Sequence, residues 1–261
     1  VSADYRAHAV AEAQAWREVI DRIIDPASED GSLSQSAAIG IVNSFAKEND
    51  VVINAAGSMP GDFHRVWRPG GPYSYGIEYG YSCMGYEVAA GVGAKLADPN
   101  REVITFIGDG TWLMLSSELL TSVQEGLKQI VLIVDNKGYG SIGALSETVG
   151  SQAFGCRFKY RDGESGQYGD DYLPIDFAAN AASYGATVYK ASTAEALTEA
   201  MEKAIAADET VVIYVEVDAK ARFGGSGAWW EVPVAEVATL ESVEEARKVY
   251  DENRAKQRLY L

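Results

Sequence analysis

Histidine, cysteine and positive charge are all scarce in this sequence. It holds 2 His and 2 Cys, and its 22 Lys and Arg stand against 38 Asp and Glu, for a formal net charge of -16. A field of that sign repels phosphate backbones, and no Lys/Arg cluster interleaved with aromatics offsets it, so nucleic-acid binding is excluded as a reading. An anionic ligand then needs a local pocket of backbone N–H groups or a metal site. Cys83 and Cys156 have no CxxC spacing and are too few for a disulfide scaffold. Both read as buried, inert thiols of a reducing, cytoplasmic compartment. No apolar run reaches the roughly 18 residues of a membrane span. The opening segment lacks the basic stretch, apolar run and cleavage site of a signal peptide. It also lacks an initiator Met, so the chain reads as processed or as a piece of something longer.

What is present is material for a core. Hydrophobic residues make up 47% of the 261 and charged residues 23%, which suits one large α/β domain. Residues 1–33 read as a linker with a polar N-terminal helix, and 34–261 as the domain. Four apolar runs, Val51–Ile53, Val103–Ile107, Ile130–Val134 and Thr210–Val217, alternate with amphipathic segments. That alternation predicts a parallel sheet flanked by helices on both faces. Helices are expected over 34–47, from Met84 onward, over 112–126 with Leu113, Leu115, Leu119, Leu120 and Val123 inward, over 174–184 with Pro174 in the first turn, over 192–206 and over 237–251. The tyrosine- and glycine-rich stretch 67–82 reads as a long ordered loop over a site or an interface. Residues 138–173 read as an insertion, mostly loop, with a short helix at 145–151. In a late glycine-aromatic loop, Trp229 and Trp230 read as a lid or a subunit contact.

In parallel α/β sheets, ligands bind beyond the carboxyl ends of the strands. Three segments leaving strand ends have the composition for this: Ala56-Gly57-Ser58-Met59, Gly108-Asp109-Gly110-Thr111 and Asp135-Asn136-Lys137-Gly138. Glycines around Asp109 let backbone N–H groups face an anion, helped by a helix start. Asp109 is then a hard oxygen ligand, Asn136 a second from the neighbouring strand, and the Gly138 carbonyl a third. So few protein oxygens suit Mg²⁺ bound through a diphosphate better than a dedicated metal cage. Taken alone, Gly-Asp-Gly is also what a tight turn with a helix-capping Asp looks like.

The combination of Gly108-Asp109-Gly110, one helix, one apolar strand and then Asn136 resembles the fingerprint of thiamine diphosphate enzymes. Three stretches, Ile77–Glu87, Val134–Gly143 and Gly169–Asn180, resemble more narrowly the trihydroxycyclohexanedione hydrolases of inositol catabolism. The likeness runs over about residues 10–261 but only over the C-terminal, diphosphate-binding part of that family. It implies thiamine diphosphate and Mg²⁺ as cofactors, with Gly57, Ser58, Gly108, Asp109, Gly110, Thr111, Asn136 and Gly138 around the diphosphate and cation. It implies Met84 as the apolar prop under the bent cofactor, with the Ser82 carbonyl and Met84 N–H meeting the aminopyrimidine. As a bare residue, Met84 is equally a core filler.

The resemblance further implies hydrolysis of a ring C–C bond in a polyhydroxylated cyclic 1,2-diketone, giving 5-deoxyglucuronate. The glutamate that activates the cofactor belongs to a pyrimidine-binding domain of a second subunit of a homo-oligomer, and no position here matches its motif. Glu78, Glu87 and Glu118 lie near the matched stretches but not in that setting. His64 and Tyr79 are the candidate catalytic groups, with Arg65, Arg68 and Tyr81 as further substrate-facing residues of the aromatic loop. His64 also reads as a plain exposed loop residue, and His8 as incidental. Two other readings stay open: an acetolactate synthase-like carboligase or decarboxylase using the same cofactor, and a non-catalytic cofactor-binding or assembly module.

Overall fold

The computed structural model describes residues 2–25, 32–219, 221 and 231–258. The Trp229 and Trp230 expectation lies outside them. The chain groups into two compact units, Val1–Asn136 with Asp176–Phe223, and Lys137–Ile175 with Gly224–Leu261.

The first unit holds the parallel sheet. Its strands are β1 (Val51–Asn54), β2 (Tyr75–Ile77), β3 (Val103–Gly108), β4 (Ile130–Asp135), β7 (Thr187–Ala191) and β8 (Val211–Glu216), in the order β2-β1-β3-β4-β8-β7. Every pairing in it is parallel. The central strands are apolar without alternation because helices cover both faces, as expected from their sequence. Ile130, Val131, Leu132, Ile133 and Val134 of β4 are all buried. Each such side chain contributes about 1.5–3 kcal/mol of burial free energy.

The polar helix α1 (Ala3–Ile23) buries only Ile20, and α2 (Gln35–Phe45) is capped by the Ser34 hydroxyl accepting the Ala37 N–H. Two elements depart from the sequence reading, one just ahead of the 67–82 stretch expected to be loop and one inside it. A helix, α3 (Met59–Val66), starts with Pro60 in its first turn and buries Met59, Phe63 and Val66 on one face. Just after it, β2 pairs with β1 and becomes the sheet edge. Then come α4 (Tyr86–Ala97) and, in place of one helix over 112–126, two short ones, α5 (Asp109–Met114) and α6 (Glu118–Gln124). The break leaves Leu113, Leu115 and Leu120 exposed rather than inward, while Leu119 is buried. Next, α8 (Phe177–Ser183) begins after Pro174 because the Asp176 side chain caps it, accepting the Ala179 N–H. Last in this unit, α9 (Ala194–Ala206) is capped by Thr193, as its Ser-Thr-x-Glu start suggests.

The second unit carries more regular structure than its composition predicts. It contains α7 (Gly140–Thr148), several residues earlier than the helix expected at 145–151, and an antiparallel pair, β5 (Lys159–Arg161) and β6 (Tyr168–Tyr172). Its C-terminal helix α10 (Glu241–Arg254) joins Val234, Val243 and Tyr250 into a small apolar cluster with Val149 and Ala246 packed against it.

Candidate functional site

Chain reversal in the sheet occurs at β1: β2 lies on one side of it and β3 on the other. The carboxyl ends of β1, β3 and β4 therefore open onto one crevice, where open α/β sheets bind ligands. Gly108 pairs with Val134 across β3 and β4. Asp109 and Asn136 consequently leave adjacent strands within one or two residues of a shared register.

Asp109 is buried, and its Oδ1 accepts the Gly110 N–H at 2.8 Å. It is the first residue of α5, with Gly108 as an N-cap that makes no side-chain bond. The Gly-Asp-Gly segment is thus the first helical turn itself, not a loop ahead of a helix at Trp112. Gly110, Thr111 and Trp112 are buried with it, and the Trp112 indole N–H donates to Asn180 Oδ1 at 2.8 Å.

The β1 end and the β4 end are tied by a polar chain that runs from half-buried Asn136 and Ser58 to buried Gln35 and Asp62. Asn136 Nδ2 donates to Ser58 Oγ at 3.3 Å, Ser58 Oγ to Gln35 Oε1 at 2.8 Å, and Gln35 Nε2 to Asp62 Oδ2 at 2.7 Å. Because Asn136 spends its NH₂ on Ser58, its carbonyl oxygen, the atom a hard cation takes, is turned away from that partner. The Asp62 carboxyl is pushed above its ordinary value by burial, against hydrogen bonds from Gln35 and Ser36 and the charge of Arg65. Sequence reasoning missed Gln35 and Asp62. The signal was there in the i, i+4, i+7 spacing of Met59, Phe63 and Val66, which puts Asp62 on the inner flank of a helix.

The segment after β2 forms the crevice's other border. Ser82 has φ 54, and Gly85 has φ 99. A Cβ at Gly85 would stand 2.9 Å from Leu115 Cβ, so both backbone angle and space demand glycine there. This contact seats the 82–85 turn against the break between α5 and α6. Met84 is half-buried and Ser82 exposed. Cys83 is exposed rather than packed, and Cys156 is partly buried; both are free thiols. The neighbours of Cys83 in sequence do not cover it.

His64 sits on the exposed face of α3, not on a loop, and the structure brings it to Tyr79, with ring centroids 5.8 Å apart. Tyr75 lies 6.4 Å from His64, stacks on Phe63 and donates its hydroxyl to Asn54 Oδ1 at 3.1 Å. Burial first, and the proximity of Tyr79, push the Tyr75 phenol up to about 12 against the Asn54 bond. Tyr81 is fully out in solvent. Arg68 does not join this group: its guanidinium pairs with Asp21 and its N–H donates to Asn43 Oδ1 at 2.7 Å. Gly57, with φ 141, opens the turn into Ser58.

Gly138 opens the second unit. It bridges to Arg157, and a Cβ there would stand 2.2 Å from the Cys156 carbonyl oxygen, so only glycine fits. Among the described residues no group of three or more His, Cys, Asp or Glu could hold a metal ion. The oxygen donors available at the crevice are instead those of one acid and one amide, a set that suits a cation whose remaining ligands come with an anionic partner. No helix of the described residues is long and apolar enough to cross a membrane.

The chain is similar to known proteins over most of its length. Residues 55–215 match the family model described as thiamine pyrophosphate enzyme, C-terminal TPP binding domain. The chain is 43% identical over 228 residues to 3D-(3,5/4)-trihydroxycyclohexane-1,2-dione hydrolase 2 of Bacillus cereus (strain ZK / E33L), covering 87% of this chain and 35% of that protein. It is 42% identical over 219 residues to the 3D-(3,5/4)-trihydroxycyclohexane-1,2-dione hydrolase of Clostridium botulinum (strain Alaska E43 / Type E3), covering 84% and 34%. The chain spans about a third of the length of these relatives. On the span of that match, the chain belongs to the family of C-terminal TPP binding domains of thiamine pyrophosphate enzymes.

Proposed function

We propose that this chain is the cofactor-binding domain of a thiamine diphosphate- and Mg²⁺-dependent hydrolase that opens the ring of a polyhydroxylated cyclic 1,2-diketone in inositol catabolism. The observation that carries the reading is the pairing of buried Asp109 with Asn136 at the ends of adjacent parallel strands, in a chain whose relatives bear the dione hydrolase name. When bound, thiamine diphosphate supplies the carbon nucleophile and the electron sink for C–C cleavage.

The residues of this chain hold and orient. Asp109 and the Asn136 carbonyl take the cation. Gly57, Ser58, Gly108, Gly110 and Thr111 border the diphosphate, where the first turn of α5 offers N–H groups. Met84 supports the cofactor from the turn that Leu115 backs, and the Ser82 carbonyl and Met84 N–H face its aminopyrimidine. His64 and Tyr79, side by side at the crevice border, are the groups placed to bind the substrate's hydroxyls or move a proton. Exposed Tyr79, Tyr81, Leu113, Met114 and Leu115 give this border an uncovered apolar character, suited to a pyrimidine-binding domain from a second subunit of a cytoplasmic homo-oligomer.

Turnover by the intact holoenzyme containing this domain is the test. Consumption of the cyclic diketone with pyruvate left untouched supports the hydrolase; carbon dioxide release or ligation from pyruvate, with the diketone inert, overturns it.

A further inference from the structure

Two glutamates grip the turn around Met84 from opposite sides. Glu78 Oε1 accepts the Tyr81 N–H at 2.9 Å, and its Oε2 accepts the Cys83 N–H. Glu87 Oε2 accepts the Gly85 N–H at 3.0 Å. The N–H groups of positions 81, 83 and 85 are thereby all committed to carboxylates. Among the described residues, no hydrogen bond is donated by the N–H of Met84, which lies between two gripped positions. The grip also fixes unusual backbone: Ser82 and Gly85, which flank Cys83 and Met84, both have positive φ.

The two acids are built differently. Glu78 is solvated, and the two N–H groups it accepts hold its carboxyl below the usual range. Glu87 is completely buried at the start of α4, and burial pushes it up to about 7 against the N–H bonds from Gly85 and its own backbone. Its Oε1 has no hydrogen-bond partner among the described residues. An ordinary helix start needs no such group, since an exposed Ser, Thr, Asp or Asn caps it. Here the N-cap is Gly85, with no side chain to offer, and the buried carboxyl reaches back to the turn.

We infer that Glu78 and Glu87 are positioning residues that lock the 81–85 turn so that the Met84 N–H and side chain face the pyrimidine half of the cofactor. This rests on the cofactor reading above. It predicts that losing either carboxylate harms recognition of the pyrimidine half while sparing the diphosphate half. A helix cap of purely structural value would harm both alike.

The test measures binding of Mg²⁺–thiamine diphosphate and of Mg²⁺–pyrophosphate to this chain, together with amide hydrogen exchange at 81, 83 and 85. Glu87→Ala is expected to weaken thiamine diphosphate about tenfold, the loss of one hydrogen bond to a buried acceptor, and Glu78→Ala, which removes two, by at least about tenfold, with pyrophosphate unchanged. Glu87→Gln retains an oxygen for Gly85 and keeps native affinity. Glu78→Gln has one oxygen for two donors and recovers only part. Equal losses for both ligands, or unchanged thiamine diphosphate affinity in the alanine variants, overturn the inference. If the native chain binds pyrophosphate but not thiamine diphosphate, the cofactor reading fails by itself. The exchange arm then decides the brace: faster exchange at the three amides in the alanine variants sustains it, and unchanged exchange overturns it.

Discussion

The two borders of the crevice are held by different physics. Asp109 and Asn136 extend from β3 and β4, whose side chains are buried almost without exception, so their positions follow from the sheet. The 78–87 border, after the short strand β2, is turn and helix start, with exposed tyrosines and two positive-φ positions. Side-chain carboxylates on backbone N–H groups hold it, and one glycine fits against Leu115. Where a hydrophobic sheet fixes a residue, geometry is insensitive to any single polar bond. Where hydrogen bonds fix it, each bond is a separate point of failure, and the same border is free to adjust to a ligand.

Core damage should break the first border with the largest effect. Leu132→Ala in β4 removes a fully buried side chain and is expected to cost about 2–5 kcal/mol in denaturant unfolding, with Mg²⁺–cofactor affinity falling in step. Met84→Ala, by contrast, should leave unfolding nearly unchanged while weakening the cofactor. Equal unfolding losses would erase the distinction.

Removing an oxygen ligand sharpens the comparison next. Asn136→Ala is expected to weaken Mg²⁺-dependent cofactor binding by about 100-fold, near the upper end seen for groups that tune metal sites, with the sheet intact by circular dichroism. It also cuts the Asn136–Ser58 bond, so Ser58→Ala, which removes that bond and the one to Gln35 but no cation ligand, should cost far less. Comparable losses from the two variants would place the effect in the polar chain rather than at the cation.

Gly85→Ala strikes the second border. Its φ of 99 and the 2.9 Å approach to Leu115 Cβ predict a loss of about 1–3 kcal/mol of stability, partly restored by Leu115→Gly, which removes that Cβ. No restoration would mean that backbone angle alone matters.

Much of the fold was legible because buried parallel strands write themselves as unbroken apolar runs. β3 and β4, and with them the positions of Asp109 and Asn136, follow from composition and order. The second border was harder. Tyr75-Gly-Ile77 is too short and too polar to announce an edge strand, and Pro60 in the first turn of α3 stood inside a run of residues that break structure elsewhere. The helix expected over 112–126 is interrupted at Ser116-Ser117, where Leu115 leaves helical geometry, so leucines read as core are on the surface. Pairing of His64 with Tyr79 needed α3 and β2 to be seen together. The roles of Glu78 and Glu87 depend on hydrogen bonds to main-chain N–H groups, which leave no trace in residue spacing.

A pH series tests the buried acid of the second border. Burial pushes the folded-state carboxyl of Glu87 up to about 7 from the ordinary glutamate value of 4.5. Between those values the folded chain holds a proton that the unfolded chain releases. Stability therefore falls as pH rises through that window, by at most about 1.4 kcal/mol per pH unit from this group, and levels off above it. Glu87→Gln should flatten that part of the profile, measured as unfolding midpoint against pH. An unchanged slope would remove Glu87 from the account.

The central claim is that the ends of β3 and β4 form a cation-dependent thiamine diphosphate half-site. Calorimetric titration of thiamine diphosphate into this chain, with Mg²⁺ and with chelator, for the native protein and Asp109→Ala, addresses it most directly. The account predicts binding to the native chain that requires Mg²⁺ and is abolished in Asp109→Ala; binding that ignores both the cation and the substitution would contradict it.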